Sequence, residues 1–294
     1  MWWGVGAALL ANTLYSTGFV LEKRALGALP ALSAQHPVRV VVTLMTSPLW
    51  MTGSLALVAG FGAQLVVYRT LPIAAAQGIF VSGIVLLLLL SSTVLGEQQS
   101  GRERHALGAV LIALLMLVAS VREGGDVVGD EAPTRLMIMV CVPVLAAGAW
   151  LYSQVERRAR QRHRAPTSGI GYGVAVGLVY GVSSLAIKGV SGKLASGGAC
   201  DTARVLLTSP YPYLLLCTAG AGLVMSQTAL QRCRASLIVP VCTTVTCLFA
   251  TVAGTLVFGE GLPDDPTLLG LRAAGMTLAL TVLLAMPRHD QPTP

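Results

Sequence analysis

The sequence predicts an all-α integral membrane protein: about nine transmembrane helices in two inverted four-helix repeats joined by a connecting helix. Three observations lead there. Of the 294 residues, 54% are hydrophobic and only 11% are charged, with a mean hydropathy of +0.72; soluble domains carry about a quarter charged residues. The apolar residues fall in long runs, as a bilayer core demands, because it takes about 20 residues per helix and leaves exposed backbone groups unsatisfied. The third observation is an internal match between residues 4–121 and 169–286, at an offset of roughly 162–165.

Taken in order, the first span covers 3–21, opens on Trp2 and Trp3 at the membrane interface and exits into Glu22-Lys23-Arg24. It lacks a basic n-region and a convincing cleavage site, so it reads as a retained helix. Spans at 48–68, 72–96 and 104–121 complete the first repeat, residues 1–123. The connecting helix, 134–153, lies in the segment 124–166 with the basic run Arg157 to Arg164. Spans at 168–190, 209–230, 235–259 and 267–286 make the second repeat, 167–288, before a short tail, 289–294. Two short segments, Arg39 to Thr46 and Arg204 to Thr208, cannot cross a bilayer and read as interfacial half-helices.

Lys and Arg accumulate on the cytoplasmic side. With the N-terminus outside, that side receives Lys23, Arg24 and Arg39, then Arg102 and Arg104, then Arg157 to Arg164, Arg232, Arg234 and Arg288. The acidic loops at 126–131 and 264–265 then face outward, with minor exceptions at Arg69, Lys193 and Arg204. The expected location is the cell membrane, with the C-terminus in the cytoplasm.

Within the repeat, 71–97 aligns without a gap on 234–260, each ending in Gly-Glu at Gly96-Glu97 and Gly259-Glu260. Gln64 falls on Gln227, Arg69 on Arg232, and Lys23 on Lys188. Because the single connecting helix separates two four-span copies, the second copy enters from the opposite side. Such inverted repeats hold their substrate sites at the repeat interface.

Gly169, Gly173, Gly177 and Gly181 recur every four residues, continued by Ser184 and Lys188. This is the pattern of close small-xxx-small helix packing. A second reading crosses this helix with the first span and turns Asn12, Tyr15, Ser16, Tyr180, Ser183 and Ser184 toward a central cavity. Gln64 and Gln227 are intramembrane amides that must bond either across helices or to substrate. Gln77 and Thr243 are candidates of the same kind. Glu22, Lys23, Glu97, Lys188 and Glu260, all placed near span ends, are candidates for gating or coupling, against the plainer readings of snorkelling lysines and loop-bonded carboxylates.

Other classes find little support. The net charge of +7 sits between apolar runs and not in an aromatic-interleaved stripe, so no nucleic-acid partner is expected. The six cysteines lack metal-ligand spacing, and no GxSxG, HExxH or Asp-rich motif marks an enzyme, metal site or cofactor. The partners expected are lipid and a small-molecule substrate, with a homodimer left open.

The run Tyr68-Arg69-Thr70-Leu71-Pro72-Ile73-Ala74-Ala75-Ala76-Gln77, ending at Leu95-Gly96-Glu97, resembles the repeat unit of the drug/metabolite transporter (EamA-like) superfamily. Phe19-Val20-Leu21-Glu22-Lys23-Arg24-Ala25-Leu26-Gly27 and the small-residue helix 172–188 are similar to the NIPA-like magnesium transporter group. The resemblance implies a transporter, and at its narrowest a carrier of magnesium. The residue chemistry points elsewhere, because magnesium seeks hard carboxylate oxygens and no acidic residue is expected mid-span. The expectation is therefore a carrier of a small organic metabolite or drug-like solute by alternating access. Magnesium transport is the alternative, and a non-transporting accessory or scaffold role the third reading.

Overall fold

In the computed structural model the described residues are 2–30, 32, 37–70, 73–96, 101–120, 134–161, 169–195, 208–258 and 265–285. Ten helices are found among them: α1 (Trp2–Ala28), α2 (Pro37–Met45), α3 (Pro48–Thr70), α4 (Ile73–Val94), α5 (Gly101–Ala119), α6 (Thr134–Gln161), α7 (Ile170–Ala195), α8 (Tyr211–Arg232), α9 (Ala235–Phe258) and α10 (Pro266–Ala285). Each satisfies its backbone internally, which is why lipid-facing chains take this form.

Local chemistry sets several boundaries. Two helices start with a capping side chain followed by proline, whose missing N–H costs nothing in a first turn. At α3 the Ser47 hydroxyl accepts the Trp50 N–H at 3.3 Å, ahead of Pro48. At α10 the Asp265 carboxylate accepts the Thr267 N–H at 2.8 Å, across Pro266. The residue before proline avoids helical geometry, so the chain breaks between α2 and α3 and turns by 100°. Past the end of α4, Gly96 takes φ +64°, the left-handed conformation that favours glycine.

Among the described residues five helices, α6 to α10, are long and apolar enough to cross a membrane, and up to six spans result if the bent α2 and α3 count as one. The protein is thus a multi-pass, all-helical membrane protein. Spans expected at α4 and α5 coincide with shorter described apolar runs, Gly83–Val94 and Arg104–Ala119. Two helices overrun their expected ends, α1 from 21 to Ala28 and α6 from 153 to Gln161.

The packing has the same plan in both halves. α1 lies along α3 and α4, and α7 lies along α8 and α9; α5 pairs with α10 across the halves, and α6 covers the other side of α7. Within its span window α7 is 61% buried and α10 only 11%, so α7 is central and α10 faces lipid. The glycine stripe explains the tight α7–α9 contact: a Cβ on Gly177 would sit 2.8 Å from both the Cys242 carbonyl and Val245 Cβ, and one on Gly173 2.8 Å from Val241. The small-residue packing expected of this face is what the structure has. Pro143 and Pro240 both lie inside their helices.

Three apolar clusters fill the bundle. One joins α4, α5, α9 and α10 around Val110, Leu114 and Val241. Another joins α6, α7, α8 and α9 around Val182, Ala186, Tyr211 and Ala253. The largest includes Leu26, Leu44, Trp50, Tyr172, Leu230 and Ile238. It gathers α2 and the C-terminal ends of α1, α6 and α8 with the N-terminal ends of α3, α7 and α9, at the end of the bundle that carries Lys23, Arg24, Arg157, Arg158, Arg232 and Arg234.

Candidate functional site

At this basic end the two halves meet through polar side chains buried among apolar ones. Glu22, expected at a helix end, lies instead inside α1, six residues before Ala28, and is 0% exposed. Glycines let α3 approach it. A Cβ on Gly53 would stand 3.0 Å from Glu22 Cγ and 3.0 Å from the Gly18 carbonyl. That contact brings the Ser54 hydroxyl to donate to Glu22 Oε1 at 2.8 Å. From the other half, Gln227 Nε2 on α8 donates to Glu22 Oε2.

The orientation of the Gln227 amide follows from its second bond. Trp50 Nε1 donates to Gln227 Oε1 at 3.2 Å. An indole N–H can only donate, so it takes the amide oxygen and leaves the NH2 for the carboxylate. Glu22 therefore sits in a cradle of neutral donors, one from α3 and one from α8. Among the described residues no cation touches its carboxylate. A metal ion at this carboxylate would need further oxygen acceptors, and the Trp50 N–H already occupies Gln227 Oε1.

Below the cradle the ends of α1 and α8 cap each other. The last carbonyls of a helix have no partner within it. Lys23 Nζ on α1 donates to the Leu230 carbonyl and, at 2.7 Å, to the Cys233 carbonyl at the end of α8. In return Gln231 Nε2 on α8 donates to the carbonyls of Leu26, Leu29 and Pro30 at 2.9–3.2 Å, and its Oε1 accepts the Leu32 N–H at 2.7 Å. A cation against helix C-terminal carbonyls is also favoured by the helix dipole. Lys23 thus does more than reach for water, the plainer expectation.

A second knot ties α6, α7 and α8. Glu156 Oε2 accepts from Arg232 Nη1 at 2.6 Å and from the Tyr172 hydroxyl at 2.9 Å. Beside it the Tyr152 hydroxyl meets the Thr228 hydroxyl, and the Tyr152 and Tyr172 rings pack edge to face at 5.3 Å. A buried carboxylate is tolerable here because a guanidinium and a phenol share one oxygen.

The other expected residues hold helices together. Ser16 donates to the Gly83 carbonyl on α4 at 3.1 Å, and a Cβ on Gly83 would come within 2.7 Å of Asn12 Oδ1. Tyr15 packs where Gly60 leaves room. The Tyr180 hydroxyl meets Ser226 Oγ at 3.1 Å and Ser183 donates to Thr218 at 2.8 Å, both between α7 and α8. Ser184 and Thr243 bond within their own helices, to the carbonyls of Tyr180 and Val239. Of the expected set, Glu22, Lys23 and Gln227 converge on one site. The side chains of Gln64, Gln77 and Lys188, and all of Glu97 and Glu260, lie outside the described residues. Trp50, Ser54, Glu156, Tyr172, Gln231 and Arg232 were not singled out by sequence. For Arg232 a signal was present, since it falls on Arg69 in the repeat.

No protein-family model, curated protein or solved structure matches this chain.

Proposed function

We propose that the protein is a transporter of a small organic solute, built as two inverted repeats that rock against each other. The observation that carries this reading is the seam at the basic end. There two halves of like packing plan are joined by side-chain bonds concentrated between α1 and α8, the kind of contact a moving half can exchange. In this reading α1, α3, α4 and α5 form one repeat and α7 to α10 the other, with α6 as the helix that inverts the second. The positive-inside pattern supports a cytoplasmic position for the seam, and in this reading the bonded seam is the closed form of that side. A carrier fits better than a magnesium pathway, because the Glu22 carboxylate, fully buried, is lined by donors. The resemblance to drug/metabolite transporters supports the same class.

The test is uptake into proteoliposomes of radiolabelled amino acids, nucleosides, polyamines and cationic dyes, run beside magnesium. Saturable accumulation of an organic solute is the expected result. Magnesium flux alone, or no flux from correctly folded protein, would reject it.

A further inference from the structure

We propose that Glu22 is a proton-binding site, and that its proton is the ion coupled to transport. The coupling half of this rests on the transporter reading; the proton site stands on geometry alone. An ionisable side chain inside a membrane bundle is costly and calls for a functional account. Holding the helices together does not by itself require an acid here, since a glutamine at position 22 could still bond both neighbours, its oxygen accepting from Gln227 and its NH2 donating to the Ser54 hydroxyl.

The cradle suits a group that changes between two protonation states. With Glu22 charged, Ser54 and Gln227 both donate to it. When a proton enters from water and bonds to Oε1, the Ser54 hydroxyl can rotate and accept that O–H, because a hydroxyl serves as donor or acceptor. Gln227, held by Trp50, keeps donating to Oε2. Both forms are satisfied with no heavy atom displaced.

Among the described residues, no charged side chain fixes Glu22 in one form. On its own helix Lys23 is turned to the end of α8. On α8 Arg232 is paired with Glu156. Arg39 on α2 is exposed. On α7 the Tyr180 hydroxyl, within electrostatic range, is bonded to Ser226, and Tyr172 to Glu156. No described side chain of α3 or α4 is titratable, the side chains of Tyr68 and Arg69 lying outside the described residues. The acid is also unrepeated: where Lys23 falls on Lys188, Glu22 falls on Ile187. One proton per chain, held between Ser54 of the first half and Gln227 of the second, would weaken the seam when bound by removing the charge that draws Gln227.

Proton binding is read directly by pH-difference infrared spectroscopy of the purified protein in proteoliposomes, from about pH 4 to about pH 10. The expected result is a carboxylic-acid carbonyl band that grows on acidification, is lost in Glu22→Gln and persists in Glu156→Gln. Should Glu22→Gln fail to fold, Ser54→Ala serves: losing a donor to the charged form moves the midpoint of the band to higher pH. A band unchanged by either variant, or no band in that range, overturns the proton site. Coupling is read by a trapped pH dye as each solute of the uptake panel is added outside. Solute-driven pH change in the parent and its loss in Glu22→Gln support coupling. Accumulation with no pH change overturns coupling while leaving the site. A titrating band with no solute moved leaves the site standing and rejects the transporter reading.

Discussion

Trp50→Phe tests whether the seam is held as described, because it deletes one donor and keeps an aromatic ring in place. Trp50 is 6% exposed and Gln227 1%, so water cannot replace the lost bond. The single change leaves Gln227 Oε1 without its donor, at a cost of about 1–3 kcal/mol. Gln227→Leu removes the acceptor of that bond and the donor to Glu22 together, a charge-assisted loss of about 1.5–3 kcal/mol. Combined, the two changes no longer orphan the amide oxygen, so the double variant costs less than the sum. Interhelical bonds in bilayers average about 0.6 kcal/mol and ordinary ones reach about 1.5 kcal/mol, and the coupling energy falls between these. The assay is reversible unfolding in mixed micelles on titration with denaturing detergent, followed by helicity. Additivity within about 0.3 kcal/mol would show that the bond does not form.

Gly177→Leu should destabilise by about 3 kcal/mol or abolish folded yield, since its Cβ alone reaches 2.8 Å from the Cys242 carbonyl, whereas Gly62→Ala, in open space, should be silent in the same gel-filtration assay. Tyr172→Phe removes one donor from Glu156 and should cost about 0.5–1.5 kcal/mol in thermal unfolding; Glu156→Gln, which strips Arg232 of its partner, should cost more, though Arg232 is 31% exposed and solvent screens part of the loss. A reporter fused after Arg164 should report cytoplasm and one near Asp130 the exterior, and the reverse pair would remove the inverted-repeat reading.

The helices and the glycine face were legible because both depend on local periodicity. Hydropathy cut α1 at residue 21 because Glu22, Lys23 and Arg24 follow in succession, and so placed the buried acid at an edge. What makes it tolerable inside is Gln227 on α8 and Ser54 on α3, and no local window connects them. Gln227 itself stood out as an amide in an apolar run that had to bond something. Its partner could not be named, since any of several helices was within reach. The Glu156, Arg232 and Tyr172 knot stayed hidden for a related reason: Glu156 sat in what reads as a basic loop, and only the continuation of α6 to Gln161 carries it back onto the bundle.

Glu22 and Gln227 are separated by 205 residues, and Glu22 and Ser54 by only 32. A ribosome adding about 5–20 residues per second supplies the hydroxyl within about ten seconds and the amide only after roughly 10–40 s. During that interval the nascent chain holds its first helix in the membrane with half a cradle, and with the last carbonyls of α1 still waiting for Gln231. Protease protection of the 22–32 segment should therefore arise late in synthesis. In a ladder of truncated chains it would switch on just past residue 231.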